Sequence, residues 1–279
     1  MRGAGVVVYG VVAYLVFFGV FVYAVGFVEG VVVPRSLDGP ASTAMLPALG
    51  IDALLLALFA VQHSVMARPA FKTRWTRVVP PEAERSTYVL LASLTLALVF
   101  WQWRPVPAVV WRVDLPPAAA LLRATSLLGW CVVLASTFMI SHLDLFGLRQ
   151  VWLRARGVPY RALDFTSRLL YRLVRHPMML GFLIAFWATP QMTVGHLLFA
   201  ILTTSYIIVG SRLEERDLLV HLGERYAAYR RQVPMLLPLP RSARSRVPTR
   251  FLDAIGSRPS PPPHRDPEIE RATPTPPAA

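Results

Sequence analysis

Lysine is almost missing from this chain. Lys72 stands alone, and arginine supplies the rest of the positive charge. Cysteine is as scarce: Cys131 is the single one, inside an apolar run, which excludes disulfides, cysteine-ligated zinc and paired redox thiols. Acidic residues are few, 16 Asp and Glu against 29 Lys and Arg, so the formal net charge is +13. No basic patch is interleaved with aromatics in the manner of nucleic-acid binders, and no nucleic-acid partner is expected. The surplus suits loops that face an anionic lipid surface. A cleavable signal is lacking too. The first apolar run, from Arg2 to Glu29, is longer than a signal-peptide core and has no convincing small-residue cleavage site, so it reads as a retained span. Internal repeats are missing, and Asp52 is the only charged residue within a span. Both disfavour the competing reading of a small transporter, which wants midplane charges or duplicated halves.

What the chain has in abundance is apolar surface: 54% of its 279 residues are hydrophobic. The fold class expected is an all-α polytopic membrane protein. Apolar runs place spans between Arg2 and Glu29, at Met45–Ala67, between Arg85 and Arg104, and between Arg123 and Asp144. From Arg175 to Arg212 no Asp, Glu, Lys or Arg intervenes, a stretch too long for one crossing of about 20 residues. Pro190 lies at its middle, which predicts two membrane helices folded back at Ala188–Thr193. The total is about six membrane helices, ending in a C-terminal hairpin.

Arginines crowd the segments after the second, fourth and sixth spans, so those face the cytoplasm together with both termini. Beyond Arg212, Leu218, Leu222, Tyr226, Tyr229 and Val233 recur at intervals of three and four. They predict a cytoplasmic amphipathic helix lying on the membrane or on the helix ends. Three regions follow: four spans over 1–143, a hairpin-bearing half over 144–240, and a Pro/Arg-rich tail over 241–279 too polar to order itself.

The hairpin brings two polar clusters to one membrane surface, Arg175–His176 at its entrance and Arg212–Glu215 at its exit. Pro177 suits the first turn of a helix, and free N–H groups beside Arg175 suit a carboxylate. Glu214 and Glu215 oppose the helix dipole, so they want a cationic partner: Arg212, Arg216, or a ligand. Glu214, Asp217 and His221 share one helical face, but solvated acidic faces are common and no metal is expected. His63 and His142 end the second and fourth spans, and a histidine there can take a proton near neutral pH. His196 reads as interfacial.

These pieces together resemble a known pattern. R-H-P, a glycine four residues after the proline, a membrane hairpin, E-E and then L-x4-G-x2-Y-x2-Y-x3-V-P characterise the isoprenylcysteine carboxyl methyltransferase superfamily. Here it reads Arg175, His176, Pro177, Gly181, Glu214, Glu215, Leu218, Gly223, Tyr226, Tyr229, Val233 and Pro234. LFAVQHSVMARP, ERSTYVL, FWQWRP, SHLDLFGLRQVW and FWATPQMTVGHLLFA are similar to one branch, the bacterial enzymes that methylate methanethiol. The resemblance implies S-adenosyl-L-methionine as donor, a small volatile thiol as acceptor and dimethyl sulfide as product, in the bacterial cell membrane. It implies cofactor contacts at Tyr171, Arg175, His176, Pro177, Met179, Gly181, Glu214 and Glu215. Met179 stands where the superfamily usually has tyrosine, and Leu169–Leu170 where a glycine often precedes Tyr171. For the chemistry, His142 is the candidate proton acceptor and Arg212 the candidate stabiliser of a thiolate, with His63 and Trp152 near the mouth.

Overall fold

The computed structural model describes residues 3–163 and 168–238, so the tail over 241–279 lies outside the described residues. The chain is an all-α polytopic membrane protein. Among the described residues, five helices are long and apolar enough to cross a bilayer: α1 (Gly3–Glu29), α2 (Met45–Ala67), α4 (Pro81–Gln102), α5 (Pro116–Ile140) and α9 (Val194–Leu222). Short helices lie between and after them: α3 (Pro69–Trp75), α6 (His142–Leu145), α7 (Leu148–Ala155), α8 (Pro177–Trp187) and α10 (Glu224–Gln232).

The hairpin differs from its expected form. Its first arm, α8, has 11 residues, about 16 Å of helix against a hydrocarbon layer of about 30 Å. Beyond α8 the chain leaves the helical form. Gln191–Thr193 is a strand, β2, paired antiparallel with β1 (Val109–Arg112) from the loop after α4. The expected turn at Ala188–Thr193 does separate the two arms, and its last three residues form β2; among the described residues the membrane helices are five long ones and the shorter apolar α8.

Two sets of contacts hold α8 in place. Against α5 it packs backbone to backbone: a Cβ on Gly129 would stand 2.7 Å from Gly181 O and Ala185 N, and one on Gly181 would stand 2.7 Å from Gly129 O. Small residues permit such close approach, which is the way helices gain dispersion energy in lipid. At its far end a chain of aromatic rings runs between helices. Trp130 meets Phe186 at 5.8 Å, Phe186 meets Phe199 at 4.9 Å, and Phe199 meets Trp103 at 5.8 Å, mostly edge to face.

The end of α9 opposite the cluster is pinned by His196, which is buried inside the protein. Its Nδ1 lies 2.9 Å from Asp38 Oδ2 and its Nε2 2.9 Å from Phe186 O. Thr193 caps α9 through the His196 N–H at 3.1 Å and donates to Asp38 Oδ1. Asp52 is also fully buried, accepting the Arg104 N–H at 2.9 Å. At the opposite face, α9 runs straight on to Leu222. With 29 residues it spans about 43 Å, so its charged last turns stand clear of the bilayer.

The single amphipathic helix expected after Arg212 is two pieces. Gly223, at φ +54°, takes a positive-φ conformation open to glycine, which stops α9 and turns the chain into α10. The break folds the predicted apolar face on itself: Tyr226, Tyr229 and Val233 pack against Leu218, Leu219 and Leu222.

Candidate functional site

The site is built where α8 begins and α9 leaves the membrane. Glu215 is its centre, with 5% of its side chain exposed. Glu215 Oε1 accepts from Arg175 Nε at 2.6 Å and from His176 Nε2 at 3.1 Å, and Oε2 faces Arg230 Nε at 3.5 Å. Arg175, only 7% exposed, also donates from Nη1 to the carbonyls of Val233 at 2.6 Å and Arg230 at 2.9 Å. Backbone bonds finish the seam: Arg175 N–H to Pro234 O at 2.8 Å and His176 N–H to Met235 O at 3.1 Å. A buried charge needs partners of this kind, and removing one member of such a pair costs about 3–5 kcal/mol.

Glu214 is different. Its side chain is 55% exposed, and its contact is His176 Nδ1 at 3.7 Å, beyond hydrogen-bond length. Ser211 lies one turn before Glu215 on the same face of α9. Its Oγ is buried and has no hydrogen-bond partner among the described residues. No side chain caps the N-terminus of α8, where His176 is the N-cap and Pro177 begins the helix. Met179 is in that first turn, half-buried. Tyr171 accepts at its carbonyl from the Tyr229 hydroxyl at 2.6 Å. Burial, and then Glu214, pushes the Tyr171 phenol up, so it stays protonated. The arrangement presents an open carboxylate, an orphaned hydroxyl and a helix N-terminus around a buried ionic hub. It can receive a ligand carrying both a cation and an anion.

The structure thus brings together Arg175, His176, Pro177, Glu214 and Glu215, with Gly181 one turn inside α8 against α5. It does not bring His142 to them. Arg212 is exposed beside Ser211. His142 is 7% exposed in a separate knot between α1 and α5. Thr137 Oγ1 spends its one proton on Leu134 O at 2.7 Å, so at 2.8 Å it accepts from His142 Nδ1. Nε2 then accepts from the Tyr14 hydroxyl at 2.9 Å. Phe138 stacks on the ring at 4.3 Å, and burial holds the imidazole below its usual pKa. With both nitrogens engaged, His142 has no lone pair left for a substrate. Trp152 is exposed on α7, with the Arg156 guanidinium 4.6 Å above its ring.

Sequence reasoning missed Ser211, Arg230 and the carbonyls of 230–235. A serine one turn ahead of E-E on a membrane helix was a visible signal for the first, but backbone acceptors leave none.

The chain matches the NnrU protein family over residues 53–237. It is 58% identical over 234 residues to the methanethiol S-methyltransferase of Mycobacterium tuberculosis, covering 84% of this chain and 96% of that one. It is 54% identical to methanethiol S-methyltransferase 1 of Bradyrhizobium diazoefficiens, covering 84% and 82% of the two chains. A more distant relative is nurim of Mus musculus, 31% identical over 62% of this chain and 69% of that one. No solved structure matches. A likeness that runs through both the span-bearing half and the cluster-bearing half establishes kinship for the whole described chain, which belongs to the NnrU protein family and, within it, to the methanethiol S-methyltransferases.

Proposed function

We propose that the chain transfers a methyl group from S-adenosyl-L-methionine to methanethiol, giving dimethyl sulfide. The observation that carries this reading is the open Glu214 carboxylate beside the buried Arg175–His176–Glu215 hub, in a chain whose relatives are thiol methyltransferases. The donor fits the residues present. Glu214 takes its ammonium or ribose hydroxyls, Ser211 offers the unspent hydroxyl, and the uncapped α8 N-terminus favours its carboxylate. The bound donor supplies an electrophilic methyl on a sulfonium. Glu215 holds Arg175 and His176 rigid rather than touching the donor, because both its oxygens face protein cations. Positioning and a dry surrounding do most of the remaining work, since charge is lost as thiolate meets sulfonium.

The cluster face is also the proposed cytoplasmic face. It carries Arg68, Lys72, Arg74, Arg77 and Arg149–Arg161, whereas Arg35, Arg104 and Arg112 lie in segments of the other face.

Headspace analysis of bacteria expressing the chain and fed methanethiol tests the reading, with dimethyl sulfide as the expected product. Glu214→Gln lowers donor affinity in calorimetry while the protein keeps its melting temperature, and Glu215→Gln lowers both. No dimethyl sulfide, together with methylation of a farnesylated cysteine, overturns the acceptor and leaves a carboxyl methyltransferase.

A further inference from the structure

Away from the ionic hub, a second polar group gathers where α2, α4 and α9 meet. Tyr88 Oη on α4 lies 2.8 Å from His63 Nε2 and 3.3 Å from Nδ1. Ser64 donates to Tyr206 Oη on α9 at 3.3 Å. Phe59 packs against the rings of both His63, at 5.3 Å, and Tyr206, at 6.3 Å. Gln62 donates to Met66 Sδ at 3.0 Å and leaves its Oε1 buried with no partner among the described residues. The Tyr88 hydroxyl carries one proton, so one ring nitrogen of His63 keeps its capacity for another bond. His63, Tyr88 and Tyr206 are each half-buried, reachable in a way that His142 is not.

This cluster and the hub share one stretch of α9. Tyr206 and Asp217 turn toward α2, where Arg68 pairs with Asp217 at 2.9 Å. Ser211 and Glu215 turn toward the α8 entrance, and Glu214 lies between these two directions on the helix. Tyr88 and Tyr171, on opposite sides, are both within electrostatic reach of Glu214.

We propose that this cluster lines the acceptor site and that His63 takes the thiol proton there, an inference that rests on the thiol methyltransferase reading above. Phe59 and the two tyrosine rings give a small apolar thiol its contacts. The S–H proton passes to the His63 imidazole. The sulfur forms its new bond to the methyl carbon as the methyl–sulfonium bond breaks, whose electron pair stays with the donor sulfur. The proton leaves from His63 afterwards. The charged and titratable groups beside His63 are Tyr88 and Arg85 on α4 and Tyr206 on α9; Glu84 and Glu214 in turn act on Tyr88, and Arg68, past the end of α2, is paired with Asp217. Arg85, with its guanidinium 5.7 Å over the Tyr88 ring, adds positive charge that favours a thiolate.

The test compares two acceptors in membranes holding the full chain: methanethiol, a thiol at neutral pH, and methaneselenol, already ionised there. His63→Gln is expected to bind S-adenosyl-L-methionine as the wild type does. It should lose methanethiol turnover by about 10²–10⁴-fold, the usual worth of a general base, while methaneselenol turnover changes by less than about threefold. Tyr88→Phe shifts the same ratio in the same direction, and it decides the matter if His63→Gln no longer binds the donor. Equal losses on both acceptors, or unchanged methanethiol turnover, overturn the proposal. Wild-type membranes inactive on both acceptors overturn the underlying reading instead.

Discussion

His142 and His63 show how much a histidine's neighbours decide. Both stand near the end of a span beside polar residues, Ser141 and Asp144 for His142, Gln62 and Ser64 for His63. His142, however, has Tyr14 and Thr137 on its two nitrogens, whereas His63 has one hydroxyl for both. The first is a structural histidine with a pH signature. Burial lowers its folded pKa below the usual 6.5, so the unfolded chain takes up a proton there more readily than the native one. Stability is full above pH 6.5 and declines as pH falls below it, with a limiting slope of about 1.4 kcal/mol per pH unit for one group. His142→Gln should flatten that dependence. Melting temperatures in detergent across about pH 5 to 7.5 read the effect, and a variant as acid-sensitive as wild type would refute it. Which of the two was satisfied could not be read from the sequence. Tyr14 and Tyr88 are remote in the chain from the histidines they meet, and only the packing of α1 on α4 and α7 and of α2 on α4 decides who meets whom.

At the scale of elements, charge-free runs located the long helices, because burying an arginine in lipid is costly and the chain avoids it. The E-E motif and the R-H-P motif pointed to each other across the hairpin for the same reason. The short arm was not legible. Residues 188–193 are as free of charge as α8 itself, so nothing in composition distinguishes helix from strand, and the partner strand lies in a loop about 80 residues earlier. What does show in sequence is the price of closeness between α5 and α8, two glycines. Gly181→Ala puts a methyl 2.7 Å from Gly129 O, against backbone that cannot turn aside. Overpacking of this kind costs about 1–3 kcal/mol. The expected result is a lower melting temperature, with donor affinity falling as α8 and its Arg175–His176 entrance are pushed outward. Wild-type stability in Gly181→Ala would mean that the two helices separate freely.

For the whole molecule, the similarity to the NnrU family ends at residue 237, and among the described residues the contacts that complete the ionic hub reach no further than Met235. Truncation after Pro240 is therefore expected to leave dimethyl sulfide production and donor affinity unchanged; a folded truncation without activity would assign the tail a role. A cut a few residues earlier has the opposite result. Arg175 and His176 wait on the carbonyls of Val233, Pro234 and Met235, all made after the last span. During synthesis, then, every membrane helix can be inserted and paired while the donor site is still open. A chain stalled short of Val233 has its membrane helices but lacks the carbonyls that hold Arg175 and His176, so the proposed donor site is completed only by the last residues of the seam to be made.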